Sequence, residues 1–74
     1  MSDDLLKIVE QAIQAEINAN RRYLHGAELA QGQPAKQLFL DLAKEEQHHK
    51  ERLQKFYAEL AGRVWEAEAM FQEE

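Results

Sequence analysis

The stretch Ala35-Lys36-Gln37-Leu38-Phe39-Leu40-Asp41-Leu42-Ala43-Lys44-Glu45-Glu46-Gln47-His48-His49-Lys50-Glu51-Arg52-Leu53-Gln54-Lys55-Phe56 decides how this chain folds. In alternating steps of four and three it yields Ala35, Phe39, Leu42, Glu46, His49, Leu53, Phe56 and, just beyond, Leu60. That spacing is the seam of a helix that buries one face. Two positions in the middle of the seam are a carboxylate and an imidazole. The upstream half follows the same rule through Leu6, Val9, Ile13, Glu16, Asn20, Tyr23, Ala27 and Ala30, again with a carboxylate at its centre. No lysine or arginine accompanies these three groups on the seams. Burying a carboxylate without a cation costs on the order of several kcal/mol. The pattern therefore asks for a positive charge from outside the sequence, and a metal ion is the natural source.

Working outward, Leu5, Ile8, Ile17 and Leu24 flank the first seam. They widen it beyond what a two-stranded zipper needs and toward what a bundle helix needs. Ser2 suits an N-cap, and Asp3 and Asp4 suit the positive end of a helix dipole. The helical pattern runs over about 3–31. Gly32 and Pro34 then supply a helix stop and a helix start two residues apart. The second helix runs over about 34–61 and Gly62 ends it. A short third helix is expected over about 63–72, carrying Val64, Trp65, Met70 and Phe71 as packing for a subunit contact. The expectation is an all-α chain: an antiparallel two-helix hairpin with a short C-terminal helix, 1–74 forming a single domain.

Composition narrows the function. The chain has 74 residues, and a hairpin of that size has one broad apolar face with nothing to cover it. There is no cysteine, which excludes disulfides and thiolate-bound metal clusters. A metal, a partner subunit or both must complete the core. The net charge of −5, from 14 acidic and 9 basic residues, argues against nucleic acid or an anionic membrane as a partner. No apolar run exceeds three residues, as in Leu38-Phe39-Leu40, far short of a bilayer span. Met1-Ser2-Asp3-Asp4 is acidic where a secretion signal would be basic, so the expected compartment is the cytoplasm.

The three polar seam residues converge in register. In an antiparallel hairpin, residues equally far from the turn lie side by side. Glu16 and His49 are equidistant from a turn centred between Gly32 and Gln33. Glu46 lies about 4.5 Å nearer that turn along the axis, at about 1.5 Å per residue. Glu46 and His49 share a face, being three apart. One hairpin supplies two carboxylates and one imidazole; two hairpins about a two-fold axis supply four and two. That is the donor set of di-iron and di-manganese four-helix bundles. Two divalent ions would match four carboxylates in charge. Tyr23 and Asn20, on the same face, are placed to hydrogen-bond a ligating carboxylate. His25 and His48 read as surface or interface, and Glu10 and Glu45 as solvated.

The set Glu16-x-x-Ala19-x-x-x-Tyr23 with Glu46-Gln47-His48-His49 resembles the ferritin-like superfamily, its rubrerythrin branch in particular. The resemblance covers about Glu10 to Leu60. It implies a half-ferritin, similar in plan to encapsulated ferritins, whose hairpins dimerise into a ferritin-like four-helix bundle. The site it implies binds two Fe ions per dimer, or Mn or Zn in their place, through Glu16, Glu46 and His49 of both chains. The activity it implies is ferroxidase-type oxidation of Fe(II) by O2 or peroxide, in iron handling or protection against oxidative stress. Without cysteine there is no thiolate-bound iron for in-chain electron delivery, which favours this work over peroxide reduction. Residence in the lumen of a protein shell would need a cargo peptide, and none is visible in Phe71-Gln72-Glu73-Glu74. Partners are expected to be a second copy, in a homodimer or a larger ring, with neither nucleic acid nor membrane. Two other readings stand beside this one. The first is a non-catalytic helical oligomerisation or interaction module, whose buried polar layer sets partner geometry with Glu46 paired to a protonated His49. The second is a structural dimer held by zinc or manganese.

Overall fold

The computed structural model describes residues 3–62, and they form two antiparallel helices. Helix α1 spans Asp3–Leu29 and helix α2 spans Gln33–Ala61. The Ser2 cap and the third helix expected over 63–72 lie outside the described residues.

The connection works through Gly32, whose φ of 93° lies where side-chain-bearing residues are strained. Its carbonyl accepts the amide of Lys36 at 3.2 Å, starting the ladder of α2, and Pro34 occupies the first turn, where no amide is needed. Helix α1 closes at Leu29 rather than reaching Gln31. The chain must cross roughly 8–10 Å between packed helix axes, and Gly32 alone is too short for that. Gly62 ends α2 in the left-handed region at φ 71°, its amide donating to Ala58 O at 2.8 Å.

The two helices meet along their seams, each widened by neighbouring residues. Val9, Ile13, Ile17 and Tyr57 form the buried cluster, with Leu6, Leu53, Leu60 and Ala61 packed against it. Ile17, one residue past Glu16, is 8% exposed, and Tyr57, one residue past Phe56, is 2% exposed. Phe56, on the seam, is 44% exposed. Ile13 and Val9, both on the seam, are buried at 0% and 4%, so the contact follows the seams and extends at Ile17 and Tyr57 to the next residue on each helix. Beside those two residues the seam positions Glu16, His49 and Phe56 lie at the edge of the contact, toward one open side of the hairpin.

Toward the turn, small residues let the backbones approach. Ala27 and Ala43 are buried at 4% and 2%. A Cβ placed on Gly26 would stand only 2.9–3.1 Å from three ring atoms of Phe39, so that ring lies against bare backbone. On this side the elements are held by close approach, and on the other by bulky side chains.

Candidate metal centre

Glu16 on α1, and Glu46 and His49 on α2, each offer one donor atom, and these atoms lie within 4.8 Å of one another. His49 Nδ1 stands 3.7 Å from Glu16 Oε1 and 3.5 Å from Glu46 Oε1. The Glu46–His49 separation belongs to one helix, set by the three-residue step. The Glu16–His49 separation crosses the hairpin and depends on register. Both carboxylates are largely covered, at 22% and 20% exposure, while the imidazole at 49% faces the open side.

These distances bear on what the group can do. A hydrogen bond from nitrogen to oxygen spans about 2.7–3.2 Å, so His49 bonds neither carboxylate. Two donors about 2.1 Å from a shared ion stand roughly 3.0–3.4 Å apart at right-angle to tetrahedral geometry. A contraction of a few tenths of an ångström would bring either pair to that spacing. Two hard oxygens and one imidazole nitrogen form a donor set that suits iron, manganese or zinc. Among the described residues no charged side chain is fully buried. The centre keeps one side open to water, chiefly at His49, so a single hairpin does not bear the full desolvation cost; the rest would arise if the open side were covered.

Asn20 and Tyr23 share the seam with Glu16 but are engaged elsewhere. Asn20 donates its side-chain amide to the backbone carbonyl of Ala43, across the hairpin, at 2.7 Å. The Tyr23 ring packs on Phe39 with centroids 6.4 Å apart. Among the described residues neither hydrogen-bonds Glu16 or Glu46. Glu10 is not merely solvated, as its position off the seam suggests: it is half-buried and accepts a hydrogen bond from the Tyr57 hydroxyl at 3.1 Å. Sequence reading missed this pair because Tyr57 sits one step off the seam; a tyrosine beside an otherwise apolar stripe is the only signal. His25 lies near the turn, exposed, 3.6 Å from Glu28, and His48 is exposed as expected.

A positive side chain also stands nearby. Arg52, one turn after His49, lines an open depression of about 400 Å³ together with Glu16, His49, Leu53 and Phe56. The seam contains no arginine, but the next turn of α2 brings one to its edge.

The family model for rubrerythrin matches residues 7–72. This chain belongs to the rubrerythrin family. The match includes all three donors and extends beyond the hairpin at its C-terminal end. Neither the comparison with curated proteins nor that with solved structures finds a match. No helix among the described residues is long and apolar enough to cross a membrane.

Proposed function

We propose that this rubrerythrin-family hairpin binds and oxidises Fe(II), using Glu16, Glu46 and His49 at a centre shared with a second copy of the chain. Family membership makes iron the first candidate, since rubrerythrins are iron proteins. The observation that carries the reading is the spacing of the triad. An imidazole nitrogen sits nearly equidistant from two carboxylate oxygens, too far from either for a hydrogen bond and close to the spacing of donors around one ion. A buried polar layer of the register-setting kind would close those gaps instead.

A second copy is proposed because three donors leave an ion under-coordinated and because the centre opens onto an uncovered apolar side. Ile8 on α1 and Leu38 and Phe56 on α2 are exposed at 60%, 56% and 44%. Counted at about 100° per residue, they share that side with His49. Two hairpins joined there would form a four-helix bundle with four carboxylates and two imidazoles at mid-height. Two ferrous ions would balance the carboxylate charge.

The chain's own contribution is electrostatic and geometric. Carboxylates favour the higher charge of the ferric product, and apolar flanks exclude bulk water. Ferrous iron is the substrate, each ion yielding one electron. Two electrons with two protons convert O2 to hydrogen peroxide, or peroxide to two waters.

The test is an anaerobic Fe(II) titration followed by admission of air. Two irons per pair of chains and a ferric absorbance band are expected, and Glu46→Ala should lose both. Absence of ferrous uptake by the wild-type protein would overturn the proposal. Uptake without oxidation would leave the structural-metal reading in its place.

A further inference from the structure

We infer that Asn20 is a positioning residue for the metal centre, acting through the backbone of α2 rather than on a ligand. The inference rests on the reading of Glu16, Glu46 and His49 as metal donors. Asn20 lies one turn past Glu16, about 6 Å along α1, and Ala43 one turn before Glu46, about 4.5 Å along α2. The hydrogen bond of 2.7 Å between them thus ties the donor-bearing turn of one helix to that of the other.

Three observations support a positioning role. The first is that apolar packing is non-directional and tolerates sliding, whereas an amide–carbonyl contact holds over a few tenths of an ångström. The second is that only one of the two measured donor separations depends on register. A slip of one residue, about 1.5 Å, would leave Glu46–His49 at 3.5 Å and could carry Glu16–His49 well beyond its 3.7 Å. The third is that the Ala43 carbonyl does not need Asn20. Inside α2 it already accepts the helical bond from the Gln47 amide, and a carbonyl has a second lone pair to offer. Removing the side-chain donor strands no buried acceptor, so the bond is not required to satisfy the backbone. The close packing at Ala43, 2% exposed, is what lets so short a side chain reach across.

The other described side-chain bridge between the helices, Tyr57 to Glu10, lies on the far side of the centre from the turn. It fixes the open end of the hairpin and is separated from Glu16 and His49 by roughly two turns. Asn20 is the nearer constraint.

Co2+ binding by the purified full chain tests the inference, read by titration and by the visible ligand-field spectrum. Asn20→Leu keeps the volume and removes the donor. It is expected to retain helicity and melting temperature within a few degrees, to bind Co2+ about tenfold more weakly, and to shift the ligand-field bands. Asn20→Gln, which keeps the amide, should bind more tightly than the leucine variant. If Asn20→Leu does not fold, Asn20→Ser, whose hydroxyl falls short of Ala43, takes its place in the comparison. Wild-type affinity and spectrum in the donor-free variant would overturn the inference, as would a loss of affinity that only tracks stability and is not recovered by glutamine. A wild-type protein that takes up no Co2+ would remove the metal reading itself, and the positioning role with it.

Discussion

Replacing both carboxylates by amides, Glu16→Gln with Glu46→Gln, is expected to strengthen assembly of the metal-free protein and to abolish its response to metal. The magnitude follows from the geometry. The donor oxygens of Glu16 and Glu46 lie within 4.8 Å of each other. At that separation two unit charges repel by about 0.9 kcal/mol in water and about 3.5 kcal/mol at an effective dielectric of 20. Covering the open side moves the pair from the first regime toward the second, a penalty of about 2.6 kcal/mol per hairpin and roughly 5 kcal/mol for a dimer. Residual solvent and side-chain motion reduce this, and loss of the desolvation cost of the charges adds to it. An increase of at least about 100-fold in dimer affinity is expected, each decade being about 1.4 kcal/mol. The assay is sedimentation over a dilution series at pH 8.5, above the range in which imidazoles ordinarily take up protons. It is run without metal and with anaerobic Fe(II). Wild-type chains should associate weakly alone and tightly with iron; the double variant should associate tightly in both. A variant that assembles more weakly than metal-free wild type, or a wild type whose assembly ignores ferrous iron, would refute the argument that carboxylate repulsion gates the bundle.

Two further outcomes follow from the hairpin itself. Tyr57→Phe keeps the buried ring and removes the bond to Glu10 at 3.1 Å; a loss of about 1 kcal/mol is expected, seen as a melting point lowered by roughly 4–8 °C, and an unchanged melting point would show that the bond contributes nothing. Gly26→Ala sets a helix-propensity gain of about 1 kcal/mol against a Cβ driven to 2.9 Å from Phe39, a strain of about 1–3 kcal/mol; the single variant should be less stable to urea, and adding Phe39→Leu should restore it.

The two helices, the turn between them and the end of α2 were legible because each rests on local chemistry, whereas the end of α1 falls two residues before the expected Gln31. Gly32 at φ 93°, Pro34 in the first turn and Gly62 at φ 71° do what those residue types do anywhere. The convergence of Glu16, Glu46 and His49 was legible for a different reason. Helices rise by a fixed amount per residue, so distance from the turn fixes height along the hairpin. What the sequence did not reveal is how each apolar face divides between neighbours. The a/d pattern marks the middle of everything a helix buries or could bury. It placed Leu6, Val9, Ile13, Leu53 and Leu60 in the contact between α1 and α2, where they are found, but it also put the exposed Phe56 there and passed over Tyr57. Side-chain contacts were equally hidden. Tyr23 and Asn20 share the face of Glu16, yet the first is taken by the Phe39 ring and the second by the Ala43 carbonyl. Facing is a property of the helix, while partnership is a property of the packing.

The local shift of the contact from Glu16 to Ile17 and from Phe56 to Tyr57 bears on why the polar triad is where it is. Had the contact followed the seams alone at the height of Glu16, the three donors Glu16, Glu46 and His49 would be enclosed by a single chain and would have to serve alone. At that height α1 instead buries Ile17, at 8% exposure, and the rest of the core lies further along at Val9, Ile13 and Tyr57. The carboxylates are left at about one-fifth exposure, and the imidazole at one-half, on the open side. A hairpin so arranged holds its donors in register without bearing the full cost of burying them. The rest of the cost arises when another surface closes the face, and on the reading proposed here the ions that offset it are bound by the same closure. Assembly and metal binding are then one equilibrium, each strengthening the other by the same factor. A protein built this way would release its iron by dilution of the dimer as readily as by chelation.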